Sequence, residues 1–161
     1  MIRKLVREDR DVLKKILEDT NHFNDEEIRV ALELIDIYLN NLNQKDYLIY
    51  TYVTDDTKQI GGYICYGKRP LTDSTYDLYW IAVDPGIHGR GIGSSLIEFM
   101  EQDLRVLGAN LILIETSGRA EYEGERKFYE KNGYKVQFII KSFYRFGDDL
   151  VIYHKYLKGI S

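Results

Sequence analysis

Ten residues near the middle of the chain, Asp84-Pro85-Gly86-Ile87-His88-Gly89-Arg90-Gly91-Ile92-Gly93, join an apolar strand-like run, Leu78 to Val83, to an amphipathic helical pattern, Ser94 to Leu107. A strand passing through a glycine-rich turn into a helix is an α/β unit with a phosphate cradle at its bend. Glycines at 89, 91 and 93 strip side chains from one rim, so successive backbone N–H groups can converge on an anion already favoured by the helix N-terminus. The expected ligand carries a phosphate or pyrophosphate.

Spacing narrows the ligand. A triphosphate-binding loop ends in Gly-Lys-Ser/Thr, whereas Gly93 is followed by Ser94 and Ser95, with no lysine to reach a γ-phosphate. A dinucleotide fold needs Gly-x-Gly-x-x-Gly early in the chain and an acid about 20 residues on. Here the pattern is Gly89-x-Gly91-x-Gly93, past the midpoint, and Glu115 is an acid at a compatible but unsupported distance.

The rest of the chain alternates strands and helices without repeats or linkers. Ile2 to Val6 reads as a strand, and the helix after Arg7-Glu8-Asp9 carries Val12, Ile16 and Leu17 on one side. Asp25 is the expected N-cap of a second helix with Ile28, Leu32, Ile35 and Leu39 on its buried face. Asp46 to Thr54 and Gln59 to Tyr66 form a hairpin, followed by a strand from Tyr76 to Val83. The glycine turn opens a helix with Leu96, Met100, Leu104 and Leu107 as its core stripe and Gly108 as its stop. Leu111 to Thr116 is a continuous apolar strand, Glu123 to Asn132 a helix ending at Gly133, and Tyr134 to Tyr144 with Leu150 to Leu157 a final antiparallel pair around Gly147-Asp148-Asp149. The order is β-α-α-β-β-β-α-β-α-β-β.

Three features together give the chain a family likeness. His88-Gly89-Arg90-Gly91-Ile92-Gly93 resembles motif A of the GNAT N-acetyltransferases, Gln/Arg-x-x-Gly-x-Gly/Ala, with His88 in the first position as the one departure. Phe128-Tyr129-Glu130-Lys131-Asn132-Gly133-Tyr134 resembles the Phe-Tyr-Glu-Lys-x-Gly-Phe/Tyr that closes the family's fourth helix, and the element order matches across nearly the whole chain. The resemblance implies one acetyltransferase domain over residues 1–161, a GNAT fold with a mixed central sheet of about seven strands and about four helices, and acetyl-CoA as acyl donor. It also implies transfer to a primary amine (a small molecule, a polyamine, or a protein N-terminus or lysine) by direct attack in a ternary complex. A catalytically silent acyl-CoA-binding or sensor domain is the alternative.

The same resemblance assigns residues. Read alone, Tyr129 is a helix tyrosine packed beside Phe128. In the family it is the general acid that protonates the leaving thiolate, a task suited to a phenol with an ordinary pKa of about 10. Asp77 stands where histone-type members place a carboxylate base; the other reading of the residue is a solvated strand-end aspartate. Tyr79, two residues on, shares its face and is placed to orient water or substrate. The backbone of Ile81, Ala82 and Val83 is expected to pair with the pantetheine arm, and the amides of His88, Gly89, Arg90, Gly91, Ile92, Gly93 and Ser94 to hold the pyrophosphate. Tyr122 and Glu125 replace an Asn and an Ala common in relatives.

Composition limits the rest. The single cysteine, Cys65, reads as an inert core thiol, and three scattered histidines give zinc no ligand set. With 22 Lys and Arg against 26 Asp and Glu there is no electrostatic footprint for nucleic acid. No run is apolar enough for a membrane span or signal core, so the expectation is a soluble, cytoplasmic protein without metal. Asp77, Asp148 and Asp149 are candidate attractors of a cationic acceptor, with Tyr79, Phe143 and Tyr144 as stacking surfaces, although Gly147-Asp148-Asp149 reads first as a tight turn. The last hairpin offers an edge for a homodimer.

Overall fold

The computed structural model describes residues 1–87 and 89–158. Its strands are β1 (Ile2–Lys4), β2 (Leu48–Val53), β3 (Ile60–Lys68), β4 (Thr75–Val83), β5 (Leu111–Ser117), β6 (Lys135–Arg145) and β7 (Asp148–Tyr156). Its α-helices are α1 (Arg10–Asp19), α2 (Asp25–Asn40), α3 (Ile92–Val106) and α4 (Glu123–Lys131). Among the described residues the strand order is β1-β2-β3-β4-β5-β7-β6, a mixed sheet in which β4 and β5 run parallel while the β1–β2, β2–β3, β5–β7 and β6–β7 pairs are antiparallel. This is the fold and the element order that the sequence implies.

The contacts group into two compact units that interleave along the chain. One holds Met1–Gly67 and Trp80–Gln102, the other Lys68–Tyr79 and the chain from Asp103 on. In the first, Leu13, Leu17, Ala31, Ile35, Ile49, Tyr63, Cys65 and Ala82 form the core. Val12 points outward and Leu13 takes the inward position instead, because the buried face of α1 runs through residues 13, 16 and 17. The N-cap of α2 is Asn24, not Asp25. The Asn24 side chain accepts from the Glu27 N–H at 2.8 Å, and the Glu27 carboxylate accepts from the Asn24 N–H at 2.7 Å, a reciprocal capping box that leaves Asp25 as the first helical residue.

In the second unit, α4 ends at Gly133 (φ +87°), where the Tyr134 N–H reaches back to the Tyr129 carbonyl. β5 lies between β4 and β7, and Tyr129, Tyr134 and Tyr153 pack as a buried aromatic cluster. Leu107 lies past the end of α3 and is half exposed, so the core stripe of that helix stops at Leu104. The β6–β7 turn falls one step earlier than the sequence suggests. Arg145 pairs with Asp148 across Phe146-Gly147, so Asp148 and Asp149 open β7 instead of forming the turn.

Candidate active site

The candidate functional residues fall in three groups, the glycine turn in the first unit and the surroundings of Asp77 and of Tyr129 in the second, and each is built by a different local device. The first is the glycine turn. The Asp84 N–H donates to the Gly61 carbonyl at 2.9 Å, and the Asp84 carboxylate accepts from the Gly86 N–H at 2.8 Å, which folds Pro85–Ile87 into a single 3-10 turn. Gly89 and Gly91 follow at φ +83° and +71°, a backbone that side-chain-bearing residues adopt only under strain, and no described atom lies within 4 Å of either Cβ position. Glycine is needed here for its dihedrals, and the space a side chain would fill stays open. The first α-helical bond of α3 runs from the Ser95 N–H to the Gly91 carbonyl at 2.9 Å. The amides of Gly91, Ile92, Gly93 and Ser94 therefore belong to the set that has no intrahelical acceptor and meets the positive end of the helix.

The side chains around this turn divide by role. Ile92 is buried, so only its backbone can serve a ligand. Arg90 is exposed and faces Asp56 at 3.4 Å. His88 lies outside the described residues. On β4, Ala82 is buried while Ile81 and Val83 are half buried. The registered pairing of β4 with β5 covers Thr75 to Leu78 and, among the described residues, goes no further, although β4 continues to Val83. The main-chain groups of Ile81, Ala82 and Val83 thus lie beyond that registered pairing.

The second group surrounds Asp77. This carboxylate is only 7 % exposed and sits within β4, not at a solvated strand end. Arg69 Nε donates to both its oxygens, at 3.0 and 3.2 Å, while the other arm of the guanidinium reaches Glu115 Oε1 at 3.3 Å. The hydrogen bond to Asp77, with the charges of both carboxylates, raises the Arg69 pKa further despite partial burial. Arg69 is fixed by the short connection into β4, where its own N–H donates to the Thr75 carbonyl at 2.9 Å and the Thr72 hydroxyl donates to its carbonyl at 2.7 Å. Asp77 registers opposite Leu113 on β5, which places Glu115, two residues on, on the same face. Tyr79 continues that face from β4 and is partly exposed.

Tyr129 anchors the third group. Its side chain is 3 % exposed, its ring packs against Phe128, Tyr134 and Tyr153 with centroids 5.6, 6.4 and 5.9 Å away, and its hydroxyl donates to Glu125 Oε1, one helical turn earlier, at 3.0 Å. Burial, reinforced by the Glu125 charge and hydrogen bond, raises the phenol pKa well above its ordinary value, so the hydroxyl keeps its proton throughout the neutral range. Arg126 secures this end of α4 by donating to the carbonyls of Ser117 and Arg119 at 2.8 and 2.7 Å.

The acidic residues considered as acceptor attractors each have a cation already. Asp148 is buried, accepts from the Ser117 hydroxyl and faces Arg119 at 3.4 Å, while Asp149 accepts from Lys141 at 2.8 Å and from the Ser142 N–H at 2.9 Å. Sequence reasoning did not assign Arg69 or Glu125 a place beside the catalytic candidates. The Glu125–Tyr129 spacing of four residues was readable as one helical face. The Arg69–Asp77 pair depends on how the β3–β4 connection folds, which carries no periodic signal. Among the described residues no cluster of three or more His, Cys, Asp or Glu side chains could hold a metal ion, and no helix is long and apolar enough to cross a membrane.

Comparison with known proteins adds a pattern to this geometry. The family model for the acetyltransferase (GNAT) domain matches residues 47–136. A GNAT-family protein from Desulfovibrio desulfuricans is similar over 98 % of both chains, with 38 % identity and a TM-score of 0.91. An aminoglycoside 6'-N-acetyltransferase crystallised with coenzyme A superposes over 100 % of this chain and 99 % of its own, with 17 % identity and a TM-score of 0.75. A ribosomal-protein-alanine N-acetyltransferase from Brucella melitensis superposes over 97 % and 99 %, with 22 % identity and a TM-score of 0.76. No curated protein sequence matches the chain.

Proposed function

This chain belongs to the GNAT family and is an acyltransferase, and we propose that it moves an acetyl group from acetyl-CoA to a primary amine by direct attack within a ternary complex. The observation that carries the proposal is the pair of left-handed glycines, Gly89 and Gly91, whose open rim leads into the free amides of α3. A diphosphate fits that cradle through the amides of Gly89 to Ser94, including Arg90 and Ile92, with His88 preceding them. The main chain at Ile81, Ala82 and Val83, beyond the registered pairing with β5, suits the amide groups of a pantetheine arm.

In the reaction the amine nitrogen forms a bond to the acyl carbon as the carbon–sulfur bond breaks. Tyr129 supplies a proton to the departing sulfur, a role supported by a phenol that burial keeps protonated. The amine must lose a proton before or as it attacks. Asp77 serves as its acceptor through water, because Arg69 occupies both carboxylate oxygens from one side and leaves lone pairs for a relayed contact. Tyr79, on the same face, orients that water or the substrate. The acceptor class is a primary amine, and the domain acts as one acetyltransferase over residues 1–161 in the cytoplasm, without nucleic acid, membrane or metal.

Two measurements test this reading. Calorimetry with coenzyme A should give saturable binding that Gly91→Val weakens at least tenfold, and acyl transfer across a panel of amino acids, polyamines, aminoglycosides and peptide N-termini should identify at least one acceptor. No affinity for coenzyme A in folded protein overturns the proposal. Binding without turnover on any amine leaves an acyl-CoA-binding domain instead.

A further inference from the structure

Glu125 touches the one hydroxyl that the proposed reaction uses as its acid. We infer that Glu125 completes the proton path, taking the proton that leaves the attacking nitrogen and passing it through Tyr129 to the sulfur, an inference that rests on the reading of Tyr129 as general acid. The contact lies within α4, where the Tyr129 hydroxyl donates to Glu125 Oε1 at 3.0 Å across one helical turn. Its two ends differ in surroundings. Tyr129 is 3 % exposed and closed in by the rings of Phe128, Tyr134 and Tyr153, whereas Glu125 is half buried and keeps contact with solvent. Glu125 also belongs to the first turn of α4, where the positive helix end favours an ionised carboxylate, so it enters the reaction as a base. An ionised carboxylate accepts at up to about four positions, and contact with one phenol does not exhaust it. Other charged groups on the helix are engaged elsewhere. Lys127 faces Glu123 at 3.2 Å, Arg126 donates to the Ser117 and Arg119 carbonyls, and Glu130 accepts from the Tyr153 hydroxyl at 3.0 Å.

A carboxylate in this position opposes the acid while it stays ionised. Burial and the Glu125 charge hold the phenol pKa well above its ordinary value, and loss of the phenol proton would set a phenolate against a carboxylate in a dry cluster. A proton on Glu125 removes that repulsion and turns the carboxyl group from acceptor into donor toward the phenol oxygen. The reaction itself supplies the proton. An ammonium acceptor loses two protons in becoming an amide, the first through water at Asp77 before attack. The second leaves nitrogen as the nitrogen–carbon bond forms and goes to the Glu125 carboxylate. The carbon–sulfur bond then breaks as Tyr129 gives its proton to sulfur and takes the Glu125 proton in its place, which returns phenol and carboxylate to their starting states. One proton thus reaches coenzyme A, the other is released to water, and bond making switches on the acid needed for bond breaking.

Glu125→Gln tests the path, because glutamine keeps the size and a carbonyl for the phenol's hydrogen bond but cannot carry a proton. With acetyl-CoA and the amine of the panel above that turns over fastest, kcat should fall at least about tenfold, while calorimetry gives a coenzyme A affinity within about twofold of wild type. Glu125→Ala, as a second variant, should lose kcat to a similar extent. The double variant Glu125→Gln with Tyr129→Phe should be no slower than Tyr129→Phe alone, since both changes interrupt one path. If Tyr129→Phe is slow but both Glu125 variants stay within about twofold of wild type, or if the two losses multiply in the double variant, the inference is overturned while the reading of Tyr129 stands. If Tyr129→Phe itself keeps wild-type kcat, or no amine turns over, that reading fails and takes the inference with it.

Discussion

Replacing Tyr129 by phenylalanine separates chemistry from packing because the structure predicts very different magnitudes for the two. The ring contacts to Phe128, Tyr134 and Tyr153 survive the change, so no cavity forms, and what is lost is one hydroxyl donating to Glu125 at 3.0 Å. A hydrogen bond to a charged group contributes about 1.5–3 kcal/mol when the group left behind stays dry. Glu125 is only partly buried and rehydrates, which lowers the expected cost to about 1 kcal/mol, or a fall in Tm of about 2–4 °C for a chain of this size. Against a typical stability of about 5–15 kcal/mol, that loss leaves the enzyme almost wholly folded at 25 °C. Any large fall in kcat then belongs to the reaction, and loss of the general acid should lower it roughly 10- to 10⁴-fold with little change in coenzyme A affinity. The assay pairs steady-state acyl transfer with a thermal melt. A variant that loses the expected few degrees of Tm yet keeps kcat within about twofold of wild type would refute the catalytic assignment and leave Tyr129 a packing residue. Because burial raises the Tyr129 pKa, wild-type activity should also show no alkaline loss from this phenol below pH ~10.

Three further substitutions probe other links. Arg69→Ala leaves the buried Asp77 without its guanidinium and should cost about 2–3 kcal/mol in urea unfolding, below the usual penalty for a broken buried pair because Arg69 itself is 43 % exposed; Arg69→Lys should recover part of it. Gly62→Ala would place its Cβ 2.5 Å from the Ala82 carbonyl oxygen and 3.2 Å from Val83 Cα, so the β4 main chain must shift, with an expected loss of about 1–3 kcal/mol and weaker coenzyme A binding by calorimetry. For Asp9, burial favours the neutral acid, but hydrogen bonds from Arg3, the Val6 N–H and the Thr51 hydroxyl, together with the Arg3 charge, outweigh it and hold the pKa below the usual carboxylate range. A depressed folded pKa contributes stability that is present above pH ~4 and is lost as pH falls through the folded value, so wild-type unfolding midpoints should drop more steeply below pH ~4 than those of Asp9→Asn.

What the sequence disclosed follows the reach of each signal. Hydrophobic periodicity and glycine placement are local, and among the described residues they located the strands and helices to within a few residues, as well as the glycine turn between β4 and α3. The errors lie where two local signals compete. Asn24 and Asp25 are both good caps, and the choice between them was made by Glu27, which completes a box only with Asn24. Gly147-Asp148-Asp149 contains turn formers throughout, and the turn settled on Phe146-Gly147 because Asp148, itself buried, finds partners in Ser117 and Arg119, 31 and 29 residues away. The same reasoning explains the candidate site. The glycine turn was legible because backbone conformation depends on neighbours in sequence, whereas the guanidinium clamp on Asp77 and the exposure of β6 depend on strand order, which no single segment encodes.

Cys65 lies on β3 in the first unit's core, and burial pushes its thiol far above the ordinary range. Such a sulfur carries no anion at any working pH, and it is the only one of its kind in the chain. The protein should therefore be blank to sulfhydryl-directed dyes while folded, so that each equivalent of colour in a turnover assay counts one molecule of product. For the same reason an incoming thioester meets no sulfur way-station on which to park its acyl group between donor and acceptor.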